Sequence, residues 1–68
     1  MKVLAENLKR IRKERGMTQE QVAKMIPVDR TTYTKYESDV VEPHLANLLR
    51  LCDVLQTTPN DLLGREPE

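Results

Sequence analysis

Apolar side chains recur along the chain at intervals of three and four residues, the spacing of a helix that buries one face. In the first such segment, Val3 to Arg15, the inward positions are Leu4, Leu8 and Ile11. Gly16 follows directly and can take the positive φ at which many helices end. The pattern therefore predicts an amphipathic first helix.

A second helix is predicted to begin after Thr18. Thr18 and Gln21 have the spacing of a capping box, in which two side chains satisfy free amides at a helix start. Pro27 cannot continue a helix, so we expect this one to end at residue 25 or 26. Its inward side chains are Val22, Ala23 and Ile26.

A third helix is predicted after a very short turn, with Asp29 as its N-cap and residues 30 to 37 or 38 as its body. Tyr33 and Tyr36 are three residues apart and should face inward with Val28. This leaves four polar or cationic side chains on the outward face: Arg30, Thr31, Thr34 and Lys35.

Two further helices are predicted in the second half of the chain. Pro43 suits the first position of a fourth helix, and Thr58 with Pro59 marks the start of a fifth that ends at Gly64. Residues 65–68 are expected to be a flexible tail. The buried stripe of the fourth helix is predicted to comprise Leu45, Leu48, Leu49, Cys52 and Leu55.

The length of 68 residues allows one domain, predicted as residues 1–64. The chain has no Trp or Phe, and Tyr33 and Tyr36 are its only aromatic residues. Its core must therefore come mainly from Leu, Ile, Val, Met and Ala, which favours helices over a β-sandwich. We predict an all-α fold of five helices around one core.

The net charge of zero conceals two unlike halves. Residues 1–35 hold nine Lys or Arg and four Asp or Glu, a net +5, whereas residues 36–68 hold two and seven, a net −5. Such asymmetry suits a domain with one face directed at phosphate. An ordinary solvated helix surface is the alternative explanation.

Several functional classes are disfavoured by the sequence. No apolar run is long enough for a membrane span, and the single Cys52 suits a reducing compartment, so we expect a cytoplasmic protein. His44 is the only histidine and has no partner at catalytic spacing, which makes it a surface residue rather than part of an active site. We expect no enzyme activity, metal, cofactor or small-molecule ligand.

The order of these features resembles the Cro and lambda-repressor-like (Xre) transcriptional regulators, with the helix-turn-helix at about residues 18–37. The resemblance covers nearly the whole chain because several landmarks fall in register. These are Gly16, Thr18-Gln19, Ala23, Tyr36-Glu37, Pro43, the segment 48–51 and the segment 61–64.

The resemblance implies a compact five-helix DNA-binding domain whose third helix enters the major groove. The positions that contact bases in this family match Arg30, Thr31, Thr34 and Lys35. Arg30 and Lys35 suit guanine, and a threonine methyl suits thymine, while Lys35 could instead contact only phosphate.

Other positions match phosphate contacts and a structural pair in the family. Gln19 corresponds to a glutamine that binds backbone phosphate, and Thr18, Thr32 and Ser38 are further phosphate candidates. Thr18 could equally serve only as a cap. The structural pair is Arg12 and Glu37, whose positions match a partly buried ion pair between the first and third helices of the family.

The chain departs from the family pattern at two glycine positions. Pro27 stands in the helix-turn-helix turn and cannot supply positive φ, so we expect another turn conformation there. Asp39 stands after the third helix, where its carboxylate would repel phosphate unless it turned away.

The sequence leaves two functions open. Sequence-specific binding of double-stranded DNA as a transcriptional regulator is favoured, with a homodimer on a palindromic operator, since one small domain has a small footprint. The alternative is a protein-interaction domain of the same fold, docking through its acidic half or through Val40 and Val41.

Overall fold

Five helices with short connections make up residues 1–65, the part of the chain that the computed structural model describes. The all-α fold with five helices is thus confirmed, while residues 66–68 of the predicted tail lie outside the described residues. The helices are α1 Lys2–Glu14, α2 Gln19–Met25, α3 Arg30–Glu37, α4 Leu45–Leu55 and α5 Pro59–Leu63.

Local capping chemistry sets most helix ends. Gly16 follows α1 at φ +69°, and the capping box of α2 is present, with the Gln21 amide donating to Thr18 Oγ1 and the Thr18 amide donating to Gln21 Oε1. Thr58 Oγ1 accepts from the Asp61 amide at the start of α5. These helix ends follow the sequence prediction.

One predicted helix start is wrong, and one predicted N-cap lacks its side-chain hydrogen bond. Asp29 occupies the N-cap of α3, but its side chain makes no capping hydrogen bond. Pro43 is not the first residue of α4, which begins at Leu45 with His44 as N-cap. The exposed His44 side chain accepts from the Asn47 amide through Nδ1 at 3.4 Å, so it caps a helix as well as lying at the surface.

The core lies between the inward faces of all five helices. Tyr33 and Tyr36 belong to it and pack edge to face, with ring centroids 6.1 Å apart. Its buried members are Leu4, Leu8, Ile11, Val22, Ala23, Ile26, Tyr33, Tyr36, Leu51, Cys52, Leu55 and Leu62.

The predicted buried stripe of α4 is wrong at two positions. Leu45 is 70% exposed and Leu49 is 48% exposed, whereas Leu51 is fully buried. Leucines occur on more than one side of this helix, so apolar spacing alone allowed two orientations. The orientation observed buries Asn47, whose Nδ2 donates to the Tyr36 hydroxyl at 3.2 Å.

Side chains of Asn7 in α1 and of Arg15, its C-cap, satisfy free carbonyl groups at the ends of α5 and α4. Arg15 donates from Nε to the Leu55 carbonyl at 2.8 Å and from Nη2 to the Gln56 carbonyl at 3.0 Å. Asn7 Nδ2 donates to the Leu62 carbonyl at 3.0 Å. Because the last carbonyls of a helix have no partner within it, these contacts attach both helices to α1.

A buried ion pair joins α1 to α3. Arg12 Nε lies 2.6 Å from Glu37 Oε2 and Nη2 lies 3.1 Å from Oε1, while Nη1 donates to the Met17 carbonyl at 2.9 Å. The side chains of Arg12 and Glu37 are only 10% and 4% exposed. Burial alone would raise the pKa of Glu37, but its hydrogen bonds, that from Arg12 foremost, hold this pKa below its usual value.

The Tyr33 hydroxyl is buried beside this pair and has no hydrogen-bond partner within residues 1–65. Burial raises the pKa of Tyr33 strongly, and the Glu37 carboxylate raises it further. The phenol therefore stays protonated and adds no charge next to the ion pair.

Removing Arg12 should destabilise the fold strongly. In Arg12→Ala the Glu37 carboxylate stays buried without its counter-ion, and we expect the free energy of unfolding to fall by about 3–5 kcal/mol. Glu37→Ala should cost a similar amount. Urea denaturation followed by circular dichroism measures both.

Arg10→Ala is the matched control for that loss. Arg10 and Glu14 form an ion pair whose side chains are 54% and 51% exposed, so its removal should change the unfolding free energy by less than about 1 kcal/mol. An Arg12→Ala protein as stable as the Arg10→Ala protein would contradict a stabilising role for the buried pair.

The stabilisation that comes from the Glu37 charge should disappear in acid. The pKa of Glu37 is lower in the folded state than its ordinary value of 4.5, so this contribution is complete above that value and is lost as pH falls through the folded pKa. The difference in unfolding free energy between the wild type and Glu37→Gln should therefore narrow from pH 6 to pH 3 in urea titrations. A difference that stays constant or widens over this range would contradict a stabilising role for the Glu37 charge.

Candidate nucleic-acid interface

One face of α3 is entirely polar or cationic and open to solvent. Arg30, Thr31, Thr34 and Lys35 are all exposed, and together with Gln19 they line one shallow depression. Because buried Tyr33 and Tyr36 hold the opposite face in the core, the exposed side chains stand on a rigid support.

The two helices that form this surface are joined by the tight turn around Pro27. The Val28 amide donates to the Ala23 carbonyl at 2.8 Å, and Ile26 is buried next to the turn. No residue of the turn has positive φ, and the Ile26–Pro27 peptide bond is cis. The absence of positive φ confirms that the turn differs from the glycine turn of the family, as predicted from Pro27.

Gln19, the first residue of α2, lies between two residues of α3. Its Nε2 donates to Glu37 Oε1 at 3.1 Å, and its Oε1 accepts from Thr34 Oγ1 at 3.1 Å. Sequence reasoning missed both contacts. The available signal was that Thr34 and Glu37 are three residues apart and so share one side of a helix.

The four phosphate candidates are not all in one place. Thr18 and Gln19 line a second depression next to Arg30. Thr32 is half-buried and lines neither depression. Ser38 lies past the end of α3 and donates from Oγ to the Thr34 carbonyl at 2.9 Å. Thr18 and Gln19 are therefore the candidates that share a depression with Arg30.

Charge on this surface comes mainly from two cations. Arg30 and Lys35 form no ion pair with any other residue in the range 1–65. Asp39, at φ +61°, directs its carboxylate to the Met1 amino group at 2.8 Å. Arg30 and Lys35 are thus available to an external anion, and Asp39 is engaged elsewhere.

Other kinds of site receive no support from the described residues. Across residues 1–65, no three His, Cys, Asp or Glu side chains come together in a way that could hold a metal ion. Nor does any helix there have both the length and the apolar character needed to cross a membrane.

Comparison with known proteins identifies the family. A helix-turn-helix family model (HTH_3) matches residues 8–62. The chain is 33% identical over 63 residues, 93% of its length, to the HTH-type transcriptional regulator AnsR of Bacillus subtilis, covering 54% of that protein. It is 37% identical over 62 residues, 91% of its length, to the cryptic phage CTXphi transcriptional repressor RstR of Vibrio cholerae, covering 55% of that protein.

A third relative is the uncharacterized HTH-type transcriptional regulator YqaE of Bacillus subtilis, 33% identical over 94% of this chain and 55% of its own. The chain therefore spans about half the length of the curated relatives it matches. No solved structure matches it at a comparable level of significance. The family match and the relatives confirm the resemblance seen in the sequence: the chain belongs to the helix-turn-helix family of the Xre type.

Proposed function

We propose that this chain binds double-stranded DNA in a sequence-specific manner and acts as a transcriptional regulator, with repression as its mode of action. The observation that carries the proposal is the polar and cationic outer face of α3, mounted on a buried aromatic face. The names of AnsR and RstR, a transcriptional regulator and a transcriptional repressor, support it.

In this proposal α3 enters the major groove and its outer side chains meet the base edges. Arg30, in the first turn, suits the paired acceptors O6 and N7 of guanine, and Lys35 also favours guanine. Thr31 places a methyl group where it can contact that of thymine. Arg30 and Lys35 have no competing ion pairs within residues 1–65, so neither must break one to bind.

Phosphate contacts would hold the domain in register on the duplex. Gln19 uses one Nε2 hydrogen on Glu37 and keeps the other for a phosphate oxygen. Thr18 accepts its capping bond through Oγ1, so its hydroxyl hydrogen remains available to a second phosphate. Thr32 and Ser38 are proposed as peripheral phosphate contacts.

We further propose that the protein binds a palindromic operator as a homodimer. A single module covers only about 600–1,000 Å², a small footprint for useful affinity. Apolar side chains stand exposed on the loop before α4 and on α4 itself, at Val40, Val41, Leu45 and Leu49. Burial of these side chains against a second copy would provide the driving force for association.

The proposed role is binding without catalysis and without a cofactor. Its location would be the cytoplasm, together with the DNA. The free and buried thiol of Cys52 suits that reducing compartment.

A protein-interaction domain of the same fold remains the competing function, because the exposed apolar residues at Val40, Val41, Leu45 and Leu49 could bind another protein. The face of α3 argues against it as the main role. An interaction helix more often presents large apolar anchors, whereas α3 presents Arg30, Thr31, Thr34 and Lys35.

Selection from a random duplex library tests DNA reading directly. The wild type should yield a palindromic consensus, and Arg30→Ala should lose about 1–3 kcal/mol of discrimination at one position in each half-site. Lys9→Ala removes an equal charge from the outer side of α1 and should leave the base preferences unchanged.

Salt dependence supplies the outcome that would contradict DNA binding. Each phosphate contact should add about −0.9 to the slope of log affinity against log salt concentration. A slope near zero on any duplex, together with a library that yields no consensus, would favour the protein-interaction function.

Self-association should depend on the exposed leucines of α4. The double variant Leu45→Ser, Leu49→Ser should sediment as a monomer at concentrations where the wild type is a dimer, because it removes the largest exposed apolar side chains of that face. Met25→Ser changes a comparably exposed apolar side chain on α2 and should leave the dimer intact. Sedimentation equilibrium measures all three proteins, and a wild type that is monomeric throughout would refute the dimer.

A further inference from the structure

We infer that the buried Glu37 charge fixes the hydrogen-bonding polarity of Thr34, so that Thr34 selects an amino base, adenine or cytosine, on the strand it contacts. The inference rests on the proposed function and goes beyond it, because it assigns a base preference to a residue through partners that do not touch DNA. Three consecutive hydrogen bonds carry it, running from Arg12 through Glu37 and Gln19 to Thr34.

The first step is the state of Glu37. Two hydrogen bonds from the Arg12 guanidinium, which only donates, hold Glu37 as a carboxylate. A carboxylate accepts hydrogen bonds and cannot donate them. Any group that hydrogen-bonds to Glu37 Oε1 must therefore be a donor.

The second step is the orientation of the Gln19 amide. One of its two terminal atoms lies 3.1 Å from Glu37 Oε1, and the preceding step requires this atom to be Nε2. Oε1 of Gln19 then necessarily faces Thr34. The buried charge thus excludes the flipped amide, which would bring two acceptors together.

The third step is the hydroxyl of Thr34. Gln19 Oε1 is an acceptor at 3.1 Å from Thr34 Oγ1, so Thr34 donates its only hydrogen to it. The exposed side of Thr34 is left with oxygen lone pairs and a methyl group. Thr34 consequently approaches DNA as a hydrogen-bond acceptor.

In the major groove an acceptor distinguishes the two base classes on one strand. Adenine N6 and cytosine N4 are donors, while guanine O6 and thymine O4 are acceptors. One neutral hydrogen bond corresponds to a preference of about twofold to tenfold. Thr34 should therefore favour adenine or cytosine over guanine or thymine at its position by that factor.

The same hydrogen-bonding argument predicts that substitution of the buried Glu37 reverses the base preference of Thr34. In Glu37→Gln, the amide oxygen can take the place of Oε2 and keep the hydrogen bond from Arg12 Nε. The amide nitrogen then takes the place of Oε1, where it gives up the bond from Arg12 Nη2 and donates to Gln19 Oε1. The Gln19 amide would then be flipped, its Nε2 would donate to Thr34, and the Thr34 hydrogen would be free to point outward. Glu37→Gln should shift the preference towards guanine or thymine at that one position.

Site selection on four proteins tests the inference. The position read by Thr34 is identified as the one whose preference is lost in Thr34→Val, which keeps the shape and removes the hydroxyl. The wild type and Thr34→Ser, which retains the hydroxyl, should both prefer adenine or cytosine there, and Glu37→Gln should prefer guanine or thymine. The selections are run at low temperature, with folding of each variant verified by circular dichroism.

The possible outcomes distinguish a failure of this inference from a failure of the proposed function. Every base pair carries one amino base and one keto base, so the group that Thr34 contacts is identified with duplexes that lack either the major-groove amino group or the major-groove carbonyl oxygen of that pair. Wild-type binding that depends on the carbonyl oxygen, in a way that Thr34→Val abolishes, would overturn the inference while leaving DNA reading intact. So would a consensus that Thr34→Val does not change. If Glu37→Gln fails to fold, the binding of the wild type, Thr34→Ser and Thr34→Val to these two modified duplexes still decides between the amino group and the carbonyl oxygen. Absence of any consensus for the wild type would overturn the proposed function and the inference together.

Discussion

The arrangement of the first three helices depends on one buried carboxylate. Glu37, at the end of α3, receives hydrogen bonds from Arg12 of α1 and from Gln19 of α2. Arg12 also donates to the Met17 carbonyl in the connection between α1 and α2. A charge this deeply buried is tolerated only when it is paired and hydrogen-bonded, so the three helices are constrained to meet at this point.

That constraint gives α3 its two-sided character. Its inner side is aromatic and packs in the core, where the Tyr36 hydroxyl accepts a hydrogen bond from Asn47 of α4. Its polar contacts to α1 and α2 are made at the boundary of the core, through Glu37 and Thr34. Among the described contacts of the outer side, only the Thr34 hydroxyl binds a side chain of another helix. A helix held in this way can present short polar side chains to a groove without losing stability, which is the physical requirement for reading bases.

Features determined by neighbouring residues could be predicted from the sequence. The glycine end of α1, the capping box at Thr18 and the start of α5 at Thr58 all depend on chemistry within four residues, and they are found where predicted. The inward direction of Tyr33 and Tyr36 followed from helical spacing. Pairing of Arg12 with Glu37, by contrast, was expected from family resemblance, since the two residues are 25 positions apart.

Features determined by contacts between helices could not be predicted. The orientation of α4 depends on Asn47 reaching the Tyr36 hydroxyl, and leucines on several sides of that helix made the apolar pattern ambiguous. The start of α4 was displaced because His44, rather than a residue before Pro43, supplies the cap. The contacts of Gln19 were missed because they join the first residue of one helix to the middle and the last residue of the next.

A titration of the isotope-labelled protein with duplex DNA, followed by nuclear magnetic resonance, tests most directly the claim that α3 is the surface that meets DNA. The account predicts that the largest shifts fall on the backbone amides of residues 30–35 and on the side-chain amide of Gln19. Shifts confined to residues 40–49, with α3 unchanged at saturation, would contradict it.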